Sequence, residues 1–201
     1  MSPEGRGVVA RISALFLIDS LAGGFLTTAM LSFFFFERFG AGEDVVALLF
    51  MGARILNALS HLAAAWLSRR IGLLNTMVFT HIPSSLFLAV AFVAPSFPVA
   101  AALFLLREGL VEMDVPTRQS YLMAVIQPTE RIIASGVTQL VRLAGWSVGP
   151  FLAGLIMQGA PLAVPFLTGA GLKIGYDVAL FTAFRRLKPP EERHDVKPPA
   201  S

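Results

Sequence analysis

The 201-residue chain has no cysteine, so neither a disulfide framework nor a thiolate-bound metal is open to it, and cysteine usage says nothing of its redox compartment. Charge is scarce as well: Asp, Glu, Lys and Arg make up 14% of the residues, hydrophobic types 55%, and the mean hydropathy is +0.70. Soluble domains carry about a quarter charged residues, so this is not a soluble balance. The net charge of +3 is modest and makes no case for nucleic acid as a partner. No Gly-x-Ser-x-Gly, His-Glu-x-x-His or nucleotide-binding glycine loop occurs, so the chain is not read as an enzyme and no cofactor is expected. His61 has no second ligand at helical spacing, which argues against a metal site.

What the chain does contain is long apolar runs. A helix needs about 20 apolar residues to cross a hydrocarbon layer of roughly 30 Å, and six windows reach that length. They run from Ile12 to Phe36, Val45 to Leu67, Leu73 to Ala94, Val99 to Ile126, Ile132 to Met157 and Leu162 to Phe184. Unbroken runs fit helices and not the short alternating strands of a closed barrel. The first run is too long for a signal-peptide core and lacks a small-residue cleavage site, so it is read as a retained span. The fold class is therefore all-α, a polytopic protein whose surroundings are the lipid bilayer.

Basic residues flank alternate loops. Arg6 and Arg11, Arg69 and Arg70, Arg131, and Arg185, Arg186 and Lys188 fall on one side, whereas the other has only Arg38 beside Glu37, Glu43 and Asp44. The positive-inside rule places both termini in the cytoplasm, and the expected location is a bacterial or archaeal cytoplasmic (inner) membrane. Six spans with both ends on one side divide into two triplets of opposite direction, a 3+3 inverted repeat, although residues 1–94 and 95–185 show no residue-by-residue similarity. The expected organisation is a cytoplasmic flank at 1–11, a six-helix membrane domain at 12–186, and a Pro-rich, charged, disordered tail at 187–201.

The ionisable residues inside the spans carry the functional signal, because each costs about 2.5–3.5 kcal/mol at the bilayer centre and needs pairing, water or a task. Span four holds Arg107, Glu108, Glu112, Asp114 and Arg118, with Pro116 between the last two. At about 1.5 Å per residue Arg107 lies roughly 12 Å below the outer surface and Arg118 roughly 28 Å. Asp114 and Arg118, four apart, can neutralise each other, while Glu108 and Glu112 form an acidic ridge that either pairs with Arg142 or Arg54 or handles solute or protons. Pro116 is expected to bend the helix. Asp19 is the lone charge of span one, suited to carrying a proton or to pairing with Arg54. Arg54, Asn57 and His61 form a polar stripe on span two, and Lys173 and Asp177, again four apart, are expected to pair with each other. Asp19, Arg54, Arg107, Glu108, Glu112 and Arg142 are thus the candidate solute or ion pathway. Gly145, Gly149 and Gly154 around Pro150 leave one face of span five nearly bare for close helix packing.

Asp114-Val-Pro116-Thr-Arg118-Gln119-Ser-Tyr121, Glu130-Arg131, and Arg142-x-x-Gly145-x-x-x-Gly149-Pro150-x-x-x-Gly154 together resemble the fourth and fifth spans of one half of a major facilitator superfamily transporter. Between spans two and three Arg70 and Gly72 match that superfamily's loop motif, while Arg69 replaces its acid and Leu73 and Leu74 its basic pair, as in a second half. The resemblance implies a twelve-helix protein of two six-helix halves, of which this chain is one, moving a small solute by alternating access with proton or solute coupling. The expected partners are an unidentified solute and a second six-helix half, either in the same full-length chain or in a dimer. The alternative is a six-helix structural or regulatory module that does not transport.

Overall fold

The computed structural model describes residues 2–185, so the expected tail at 187–201 lies outside the described residues. All of the described secondary structure is helical: α1 Pro3–Gly24, α2 Thr28–Phe39, α3 Glu43–Ile71, α4 Leu73–Phe92, α5 Phe97–Val111, α6 Asp114–Val125, a 3₁₀ turn Pro128–Glu130, α7 Arg131–Met157 and α8 Ala163–Phe184. Four stretches are long and apolar enough to cross a membrane, namely Gly5–Phe39, Glu43–Ile71, Leu73–Phe92 and Pro128–Met157. The two other expected windows carry the interior charges, five on α5, α6 and the residues joining them and two on α8, and these lower their apolarity.

Local chemistry sets the boundaries. Pro3 opens α1, where its missing N–H costs nothing, and the Ser2 hydroxyl caps the helix by accepting from the Gly5 N–H at 3.0 Å. The helix therefore starts well before the apolar window and carries Arg6 and Arg11 along its first turns. The first window is not one helix: it breaks after Gly24, and Thr27 restarts the chain as the cap of α2. Gly40 ends α2 at φ 62° and Gly72, at φ 86°, is the single residue between α3 and α4, both conformations that a side chain disfavours.

The fourth window also breaks, at Glu112 and Met113 and not at Pro116. Pro116 lies in the first turn of α6, where a missing N–H is tolerated. The Glu112 carbonyl that Pro116 cannot bond accepts the Val115 N–H at 3.3 Å instead.

Two apolar cores form. One gathers Phe34, Phe35, Phe92, Phe104 and Phe166, largely edge-to-face, from the side of the bundle that carries the loops near Gly40 and Pro95. The other gathers Ile12, Phe16, Met77, Tyr121, Leu122, Tyr176, Leu180 and Phe184. Along the chain most of the buried ionisable residues fall between the two sets, with Asp177 and Glu130 among residues of the second. In α1 and α2 Asp19 separates Phe16 from Phe25, and in α4 His81 separates Val78 from Leu88. Likewise Arg107 to Arg118 fall between Phe104 and Tyr121, and Lys173 lies between Phe166 and Tyr176. An ionic layer thus lies between two hydrophobic ones.

Candidate functional site

The ionic layer is held by several helices at once. Lys173 on α8 donates to Asp19 on α1 at 2.8 Å and lies 3.4 Å from His81 Nε2 on α4. An ammonium can only donate, so Nε2 accepts and the ring proton sits on Nδ1, which faces both Asp177 carboxylate oxygens at 2.9 Å. The other Asp19 oxygen is 3.0 Å from Arg118 Nη1 on α6, and Arg118 also pairs with Asp114 one turn back. The Arg118 guanidinium lies over the rings of Phe16 at 5.1 Å and Tyr176 at 6.0 Å. A continuous chain from Asp177 through His81, Lys173, Asp19 and Arg118 to Asp114 therefore ties α1, α4, α6 and α8 together.

This geometry corrects the expected pairing on α8. Lys173 and Asp177 do not neutralise each other along their helix; Lys173 reaches Asp19, and Asp177 takes His81. Asp19 is likewise not a partner of Arg54, whose guanidinium donates to Asn57 and Thr28, both at 3.5 Å.

The acidic ridge is divided. Glu108 pairs with its neighbour Arg107 and accepts from Asn57 Nδ2 at 2.8 Å, the same amide donating to the Glu108 backbone carbonyl at 2.8 Å. Glu112 caps the end of α5 and, among the described residues, has only His61 Nε2 in ion-pair range, at 3.9 Å. Neither glutamate pairs with Arg54 or Arg142.

Asp19, Arg54, Arg107, Glu108, Glu112 and Arg142 all line one cavity of about 420 Å³, together with His81, Asp114, Arg118, Trp146 and Lys173. His81 was not signalled by spacing or motif, since it stands alone in an apolar run. The observation that could have found it is the one that marks Asp19: an ionisable side chain deep in a span demands a partner or a task.

Gly145 and Gly149 of α7 face α1 where it passes this cavity. A Cβ on Gly145 would lie 2.9 Å from Ser20 Cβ and 3.0 Å from the Leu17 carbonyl oxygen, and one on Gly149 would lie 2.6 Å from both Gly24 Cα and the Leu21 carbonyl oxygen. Pro150 sits against the same Gly24, and α7 continues through it unbroken. Gly154 has open space where its side chain would be.

Comparison with known proteins agrees with the motifs. The uncharacterized membrane protein YJR124C of Saccharomyces cerevisiae is 25% identical over 185 residues, which are 92% of this chain and 41% of the yeast protein. The chain thus spans less than half the length of that relative. The family model described as Major Facilitator Superfamily matches residues 12–200, nearly the whole chain, and this integral membrane protein accordingly belongs to that superfamily of transporters.

Proposed function

We propose that the chain is one six-helix half, a 3+3 inverted repeat, of a secondary active transporter that moves a small solute by alternating access under a proton or ion gradient. The observation that carries this reading is the convergence of Asp19, Arg54, Arg107, Glu108, Glu112 and Arg142, drawn from α1, α3, α5 and α7, on one 420 Å³ cavity. At about 2.5–3.5 kcal/mol for each interior charge, so many around an open space are poor material for stability alone. The four long apolar stretches supply four of the six spans, and α5 with α6 and α8 the other two.

A second six-helix half, in the same full-length chain or in a dimer partner, would face the cavity. The exposed apolar residues along α3 and α7, such as Leu62, Ile132, Leu140 and Phe151, are available to lipid or to that half. Both termini are assigned to the cytoplasm on the distribution of arginine.

Glu112 is the residue assigned to coupling, because it is the one cavity carboxylate with neither Arg nor Lys in ion-pair range among the described residues. Coupling energies of about 1–3 kcal/mol correspond to roughly 5- to 150-fold effects. Glu112→Gln is therefore expected to lower gradient-driven flux in proteoliposomes by about tenfold while leaving thermal unfolding unchanged. Wild-type flux in a folded Glu112→Gln protein would remove Glu112 from the pathway, and absence of flux from the wild-type full-length protein would remove the transport reading.

A further inference from the structure

Arg118 and Arg142 stand between two cavities. On their other side lies a second cavity of about 320 Å³, whose remaining polar lining is Gln119, Ser135, Thr138 and Gln139. No carboxylate lines it, and both of its charges are positive. Arg118 is already engaged by Asp114 and Asp19. Arg142 is in a different position: it forms no ion pair with any described residue, and its buried Nε has no hydrogen-bond partner. In the larger cavity Arg54 is a second guanidinium without a carboxylate, held only by two long hydrogen bonds to Asn57 and Thr28.

An arginine in a membrane span that lacks an internal counter-ion is poised for an external one, and its planar fork matches the two oxygens of a carboxylate or phosphate. Resting on the transporter reading for its physiological meaning, we propose that Arg142 anchors an oxyanion group of the transported solute at the junction of the two cavities. The Gln119 and Gln139 amides and the Ser135 hydroxyl supply neutral donors on the carboxylate-free side. Gln119 already donates to Ser135 Oγ at 3.5 Å, which leaves that hydroxyl's own proton for a ligand. Trp146, one helical turn beyond Arg142, lines the larger cavity as an aromatic wall and a built-in reporter.

The test uses the full-length protein in nanodiscs with Trp66→Phe, so that Trp146 is the one remaining tryptophan of residues 1–201. At constant ionic strength the probes are benzoate, its neutral isostere benzamide, and inorganic phosphate. The expected result is a saturable Trp146 response to benzoate or phosphate and none to benzamide. A response to benzoate alone assigns a carboxylate solute, and one to phosphate a phosphoryl solute. A hydrogen-bonded charge contact is worth about 1.5–3 kcal/mol, so Arg142→Gln should weaken the response about tenfold or more, and Arg142→Lys, which keeps the charge without the fork, by less. No response to either anion, an equal response to benzamide, or undiminished affinity in a folded Arg142→Gln protein would overturn the proposal. Should Arg142→Gln not fold, discrimination between benzoate and benzamide by the unsubstituted Arg142 protein decides. Anion binding without flux would refute transport and leave this site standing, whereas flux of a neutral or cationic solute with no anion response would do the reverse.

Discussion

Substituting alanine at Gly149 and at Gly154 separates two glycines that look equivalent in the motif. At Gly149 a Cβ meets Gly24 Cα and the Leu21 carbonyl oxygen at 2.6 Å, both backbone atoms of α1 that cannot rotate aside. Ordinary carbon contacts begin near 3.5 Å, so α1 and α7 must part by nearly an ångström. A gap of 0.5–1 Å forfeits about a quarter to a half of each contact's attraction, and α1 against α7 is the most extensive helix pair of the described residues. Overpacking of this kind costs about 1–3 kcal/mol, partly offset by the roughly 1 kcal/mol that alanine gains over glycine within a helix. Gly149→Ala should therefore lose up to about 2 kcal/mol, and a leucine there considerably more. Gly154→Ala meets nothing within 4 Å, so it keeps the propensity gain and should be neutral or slightly stabilising. Unfolding in mixed micelles, followed by helical circular dichroism, gives the comparison. Equal stability of the two variants would refute the backbone-contact argument.

Lys173→Met leaves Asp19 with Arg118 alone and should cost about 1.5–3 kcal/mol, the worth of one charge-assisted bond, while adding Asp19→Asn should restore part of that loss in the same unfolding assay. Strictly additive losses in the double variant would mean that the two side chains are not coupled. Glu130→Ala releases the Ser2 N–H that Glu130 accepts where α1 begins, and by the usual cost of a lost cap should destabilise by about 1–2 kcal/mol. Hydrogen exchange at residues 2–6 should quicken with it, and unchanged protection there would count against the contact. Pro116→Ala should shift stability by less than about 1 kcal/mol, because the chain already breaks at Glu112 and Met113; a large loss would make Pro116 the cause of that break.

The helices themselves were legible because hydrocarbon leaves an isolated segment little choice but to bond its own backbone, so apolar run and helix nearly coincide. The windows Val45 to Leu67, Ile132 to Met157 and Leu162 to Phe184 lie within α3, α7 and α8 to within a few residues. Hydropathy is blind to what happens inside a run. The interruption after Gly24 is set by Gly23, Gly24 and the capping hydroxyl of Thr27, all visible as residues but silent in a sliding average. At Pro116 the general rule about proline in helices pointed to a kink, yet three residues of offset turn the same side chain into a tolerated first-turn residue.

Spacing along a helix identified one ion pair and misassigned another, and relative magnitudes explain the difference. An i,i+4 pair on a helix surface is worth about 0.2–0.5 kcal/mol, so it governs partner choice only where nothing stronger competes. Asp114 and Arg118 keep that pairing because Arg118 can serve Asp19 as well, through a second nitrogen of the same fork. Lys173 has a single ammonium and Asp19 is only 4% exposed on the neighbouring helix, so a buried charge-assisted bond to Asp19, worth about 1.5–3 kcal/mol, outweighs the local pair. Asp177 is then left for His81, a neutral ring able to donate from Nδ1 while accepting from Lys173 at Nε2. The partner of a buried charge is thus decided by which alternative leaves the fewest charges unmatched across the whole layer. By that criterion Arg142, which no carboxylate in the layer satisfies, marks where the layer is open to something from outside.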